Sequence, residues 1–142
     1  GMVLSHREWM EATHSRDLHR HRWRQLFAAF DAVVCPITPT PAFPHDHNPD
    51  LLGCRIDIDG VDYAFFDQLV WAGLATMPGL PATAIPAGRS AEGLPVGVQL
   101  IGPMFEDRTP LRLAELLEQQ IVGFQTPTSD AKAAIGQTNW CR

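Results

Sequence analysis

Residues 79–102 read G-L-P-A-T-A-I-P-A-G-R-S-A-E-G-L-P-V-G-V-Q-L-I-G. Two short apolar runs, Ala82 to Ala87 and Pro95 to Ile101, flank Gly88-Arg89-Ser90-Ala91-Glu92-Gly93, a segment of turn formers without a large apolar side chain. The pattern predicts two strands joined by a tight polar turn. Strand side chains alternate, so Val96, Val98 and Leu100 share one face of the second strand, and Gly97, Gln99 and Ile101 the other. Gly97 offers no side chain, which implies a close neighbour. Pro81, Pro86 and Pro95 lack a ladder donor and belong at strand starts, ends or edges.

Before this hairpin the chain reads as helix, strand, loop, hairpin, helix. Leu4 to Phe30 contains no Gly or Pro. Ser5 followed by Glu8 has the spacing of a capping box. Trp9, Ala12/Thr13, Trp23, Leu26/Phe27 and Phe30 form an interrupted apolar stripe at helical spacing. The middle of the helix is basic, from Arg16 to Arg24. A phosphate contact and a plain solvated face both fit; the acidic remainder of the chain favours the solvated face. Asp31 to Pro36 reads as a buried strand, β-branched, without alternation, and ended by proline. Pro36 to Pro41 lacks the flanking basic residues of a polyproline ligand. Ala42 to Leu52 is a polar loop, and Arg55 to Tyr63 is a second hairpin turning at Asp59-Gly60. Phe65 to Ala75 has helical spacing, ended by Met77-Pro78-Gly79.

After the central hairpin, Thr109 and Pro110 have the chemistry of a helix N-cap and first turn. Leu111, Leu113/Ala114, Leu117 and Ile121 make the stripe of a helix running to about Val122, stopped by Gly123. Residues 125–142 show little periodicity and are expected to be a loose tail, with a short helix at Ala131 to Ile135. Gly1 ahead of Met2 is expected to be a tag-cleavage scar. The expectation is therefore one α/β domain over residues 2–124: a mixed sheet of about four or five short strands with helices packed on it.

The central stretch resembles the C-terminal signature of the amidase signature family, serine amidohydrolases that cleave amide C–N bonds. The residues carrying the resemblance are Gly79-Leu80-Pro81-Ala82, Ile85-Pro86-Ala87-Gly88 and Gly93-Leu94-Pro95-Val96-Gly97-Val98-Gln99-Leu100-Ile101-Gly102. Asp31, the apolar strand and the turn Pro36 to Pro39 stand in the family's order, and the resemblance extends to about Phe124. One position departs from it: Thr76 stands where the family usually has an asparagine. The resemblance implies an amidase-like fold and a small amide as substrate of the whole enzyme. It calls for no cofactor.

Catalysis in that family rests on a lysine and two serines in a glycine-rich loop whose N–H groups hold the oxyanion. This chain has one lysine, Lys132, and four isolated serines, Ser5, Ser15, Ser90 and Ser129. No catalytic residue therefore carries over. The reading is the C-terminal portion of an amidase-like hydrolase, expected to be inactive alone. Asp67, Trp71, Thr76, Pro78, Gly79 and Leu80 are the candidates for a substrate-pocket wall. Its partners are expected to be the missing N-terminal amidase portion or further copies of itself in a homo-oligomer. The alternatives are a binding or oligomerisation module reusing the fold, or a small metalloprotein. His45-Asp46-His47 with Asp50 is the cluster that has metal-ligand character, since residues i and i+2 of an extended segment point the same way.

Composition bounds these readings. A chain of 142 residues, 45% of them hydrophobic, suits one domain with its own core. A net charge of −5 argues against nucleic-acid and anionic-membrane partners, and no apolar run reaches membrane-spanning length. Cys35, Cys54 and Cys141 are odd in number and widely spaced, which fits reduced thiols and a cytoplasmic protein.

Overall fold

The computed structural model describes residues 3–45, 49–121 and 123. Helix α1 spans His6–Leu26 and begins with the anticipated capping box. The Glu8 amide donates to the Ser5 hydroxyl at 3.3 Å, and the Ser5 amide donates to the Glu8 carboxylate at 2.7 Å. Strand β1 is Val33–Pro36, β2 is Arg55–Ile58 and β3 is Val61–Ala64. A 3-10 segment, Phe65–Leu69, leads into α2, Val70–Thr76. Strands β4, Ala82–Arg89, and β5, Pro95–Ile101, form the central hairpin, and α3 spans Arg108–Gln120.

The α/β class holds, with five strands among the described residues, but they do not form one mixed sheet. They divide into a three-stranded sheet in the order β1-β5-β4 and the two-stranded hairpin β2-β3, and every pairing is antiparallel. Strand β5 is central because it alone is flanked on both sides. Its last residues, Leu100 and Ile101, have no exposed surface and anchor the core with Ile56, Cys54, Ala75 and Ala114. The prolines sit where a missing donor is tolerated. Pro95 opens β5, and Pro86 lies on edge strand β4 beside a bulge, where the register steps from Pro86↔Gly97 to Gly88↔Val96. At Gly97 an added Cβ would lie 3.0 Å from Ile37 Cδ1 and 3.0 Å from the Ile85 carbonyl oxygen, so the close neighbour expected from sequence is present.

The segment from Asp31 to Pro36 is not a buried strand. Strand β1 pairs on one side only, and half-buried residues alternate with exposed ones; Val34 is 55% exposed. An apolar run reads alike for a buried strand and for an edge whose outer face is open. The second hairpin turns as expected: Asp59 and Gly60 have φ of 55° and 79°, the pair of positive values a type I′ turn requires. The Asp57 carboxylate accepts from the Gly60 amide at 3.1 Å and holds that turn.

Helix α3 starts at Arg108, after Asp107, rather than at a Thr109 cap; the Thr109 hydroxyl bonds the Glu106 carboxylate instead. Pro110 and Ala114 are buried against the sheet, while Leu111 and Ile121 of the expected stripe point outward. Gly102 lets that helix approach, since a Cβ there would lie 2.6 Å from Pro110 Cδ. No residue of α1 is fully buried. The expected tail, residues 125–142, lies outside the described residues.

Candidate functional site

Among the described residues Gln99 is the one buried polar residue, 6% exposed within an otherwise apolar strand. Its amide nitrogen donates to the Pro36 carbonyl at 3.0 Å and to the Trp71 carbonyl at 2.8 Å. One side chain on β5 thus ties the end of β1 to α2. A buried amide needs such partners, and here both of its N–H donors are satisfied by backbone of distant segments. The Cys35 thiol lies against the same group. Burial pushes its pKa up, and a hydrogen bond with Gln99 opposes part of that rise.

Next to this tie lies a cleft of about 550 Å³, lined by the turn Pro36 to Ala42, by Ile58, Asp59 and Trp71, and by the start of β5. The Thr38 hydroxyl donates to the Thr40 carbonyl at 2.8 Å and shapes the turn. The Thr40 hydroxyl oxygen is buried without a hydrogen-bond partner among the described residues, so it retains bonding capacity beside the cleft. A neighbouring groove of about 480 Å³ is formed by Pro39, Ile58, Tyr63, Phe66, Asp67 and Val70. Pro39 and Ile58 belong to both hollows.

The sequence candidates divide between two regions. Trp71 lines the first hollow and Asp67 the second. Thr76 is exposed, and its hydroxyl donates back to the Ala72 carbonyl at 2.9 Å within α2. Pro78 is fully buried, and its carbonyl accepts from Arg20 Nε at 2.7 Å. Gly79, with φ of 76°, makes the turn that frees the chain from α2. Leu80 lies in a different cleft of about 720 Å³, between α1 and the turn at Pro103 to Glu106. Asp67 and Trp71 are therefore neighbours around Pro39 and Ile58, whereas Pro78 to Leu80 face α1.

Gln99 stands within the signature stretch, where the sequence reading assigned it no role; a glutamine interrupting an apolar strand was the available signal. Arg20 and Thr40 had none, because their placement depends on packing between distant segments. Among the described residues no group of three or more His, Cys, Asp or Glu side chains converges. Asp46 and His47 lie outside the described residues. The Asp50 carboxylate accepts from the Leu52 amide at 3.1 Å, and its carbonyl accepts from the Gly53 amide at 3.1 Å, so it organises a local turn.

The family model for Amidase matches residues 1–111. The chain belongs to the Amidase family. Over 112 residues it is 40% identical to a glutamyl-tRNA(Gln) amidotransferase subunit from Xanthobacter autotrophicus, and the alignment covers 78% of this chain and 21% of that protein. A crystal structure of an amidase superposes with a TM-score of 0.68 at 26% identity, covering 82% of this chain and 26% of the other. The corresponding amidotransferase subunit from Thermotoga maritima superposes with a TM-score of 0.64 at 28% identity, over 79% and 22% of the two chains. This Amidase chain thus spans about a fifth of the length of the curated relatives it matches. Among the described residues no helix is long and apolar enough to cross a membrane.

Proposed function

We propose that this chain forms the C-terminal part of an amidase-signature domain and contributes one wall of a pocket for a small amide. The observation carrying the reading is the family match together with the partial span of the relatives. The chemistry agrees. An amide carbonyl is a poor electrophile, and its hydrolysis needs an activated nucleophile and donors for the oxyanion. With one lysine and four isolated serines, this chain holds no such set, and it acts with a lysine- and serine-bearing partner portion. Relatives named as an amidotransferase subunit fit a chain that works within a larger assembly.

Within that reading Asp67 and Trp71 are the pocket residues, because they flank the hollows around Pro39 and Ile58. Thr76, Pro78, Gly79 and Leu80 line neither hollow, and Leu80 lines the cleft beside α1. No catalytic residue, metal or cofactor is assigned. The cytoplasm is the proposed compartment, and self-association is the proposed state of the chain on its own. The test is an amide-hydrolysis assay on the purified chain, with simple aliphatic and aromatic amides, alone and mixed with the serine- and lysine-bearing portion of a related amidase. No ammonia release alone, and release that rises on mixing, is the expected result. Turnover by the chain alone overturns the reading.

A further inference from the structure

The wall of the cleft beside Trp71 is poor in hydrogen-bond donors. Pro36, Pro39, Pro41 and Pro95 line it and carry no backbone N–H. The Thr38 hydroxyl is already engaged, donating to the Thr40 carbonyl at 2.8 Å. The Thr40 hydroxyl is left over. Its oxygen is buried, and among the described residues it is the one buried side-chain nitrogen or oxygen without a hydrogen-bond partner.

A buried hydroxyl without a partner is destabilising, since it loses its water and gains no bond in return. A valine would fill nearly the same space without that cost. The backbone around Thr40 is held on both sides. Pro41 confines the residue before it to extended conformations, and the Thr38 hydroxyl pins the Thr40 carbonyl. The freedom that remains is rotation about Cα–Cβ. The residue as a whole is only half-buried, so its exposed surface belongs to atoms other than the hydroxyl oxygen. A turn of about 120° exchanges Oγ1 with the methyl group, which is close to it in size. The hydroxyl thereby leaves its buried position while the chain stays where it is.

We propose that Thr40 is a substrate-binding residue: its hydroxyl turns into the cleft and donates to the carbonyl oxygen of an amide lying against Trp71 and Ile58. That role rests on the reading that this cleft belongs to the amide pocket, and it adds to the wall a residue outside the sequence candidates. The proline-rich wall offers carbonyls that accept and few N–H groups that donate, so a ligand bringing an acceptor is the one that meets the free donor. A hydroxyl kept for the ligand also discriminates, because a ligand without an acceptor at that point leaves it unpaired.

Isobutyramide titrated into the full chain tests it, followed by NMR at the Trp71 indole and the Thr40 amide, with urea unfolding of each variant alongside. Saturable shifts at both positions are expected. Thr40→Val keeps the shape and removes the hydroxyl, and it weakens isobutyramide at least about fivefold, whereas Thr40→Ser binds within about twofold of the wild type. The urea midpoint of Thr40→Val equals that of the wild type or exceeds it, because no hydrogen bond within the protein is lost. A lower midpoint reveals a hydroxyl that the protein itself holds, and overturns the proposal. So does a wild-type chain without a saturable shift at Trp71, a Thr40→Val chain that binds as the wild type does, or a Thr40→Ser chain that loses binding as Thr40→Val does. In the mixture with the serine- and lysine-bearing portion, Thr40→Val raises KM at least about fivefold. An unchanged KM there overturns this inference alone; ammonia release by the chain alone overturns the functional reading instead.

Discussion

At the residue scale the decisive positions are those whose side chains fill or spare space around β5. Gly97 has Ile37 Cδ1 and the Ile85 carbonyl at the limit of contact. The isoleucine methyl can rotate away, but the carbonyl belongs to the neighbouring strand and cannot. Gly97→Ala is therefore expected to destabilise the chain by about 1–3 kcal/mol, measured by urea unfolding. Gln99→Ala takes the donor from two carbonyls, at Pro36 and Trp71. The expected loss is about 1–3 kcal/mol, with α2 loosened first, and amide hydrogen exchange across residues 70–76 checks it. Cys35 gives a chemical readout of the same spot. Because burial raises its pKa, its thiolate population near neutral pH is small, and alkylation proceeds more slowly than for a free cysteine. Gln99→Ala removes the opposing hydrogen bond but also opens the site, so the alkylation rate in that variant separates the two effects.

At the element scale, legibility in the sequence followed the range of the interactions involved. The capping box, the Asp59-Gly60 turn and the strand β5 are set by residues within a few positions of one another, and each formed where the pattern placed it. The start of α3 and the environment of β1 depend on what packs against them, and there local reading failed. The pocket candidates fared the same way: the resemblance marked out Asp67 and Trp71, but only tertiary packing set them around Pro39 and Ile58 and turned Leu80 toward α1. The capping box also carries a pH signature. Hydrogen bonds from the Ser5 side chain and backbone hold the Glu8 carboxyl below its ordinary value. A depressed folded-state pKa contributes stability that is present above the unfolded value and lost as pH falls through the folded one. The far-UV helical signal of α1 should therefore decline in acid, below about pH 4. Ser5→Ala should lower helicity at neutral pH and flatten that acid dependence; an unchanged titration removes the cap as its cause.

At the scale of the whole molecule, stability is distributed from the centre of the sheet outward. Leu100 and Ile101 on β5 have no exposed surface, and that strand is bonded on both sides. Strands β1 and β4 each have a free edge, and α1 buries no residue fully. Amide protons exchange through local openings, and the free energy of opening follows the apolar contact broken. Dilute protein should thus show its slowest exchange in β5, faster exchange in β1, and the fastest within α1 at its N-terminal turns. The only tertiary polar tether on that helix among the described hydrogen bonds is Arg20 to the Pro78 carbonyl. Arg20→Ala should accelerate exchange along α1 while leaving β5 unchanged.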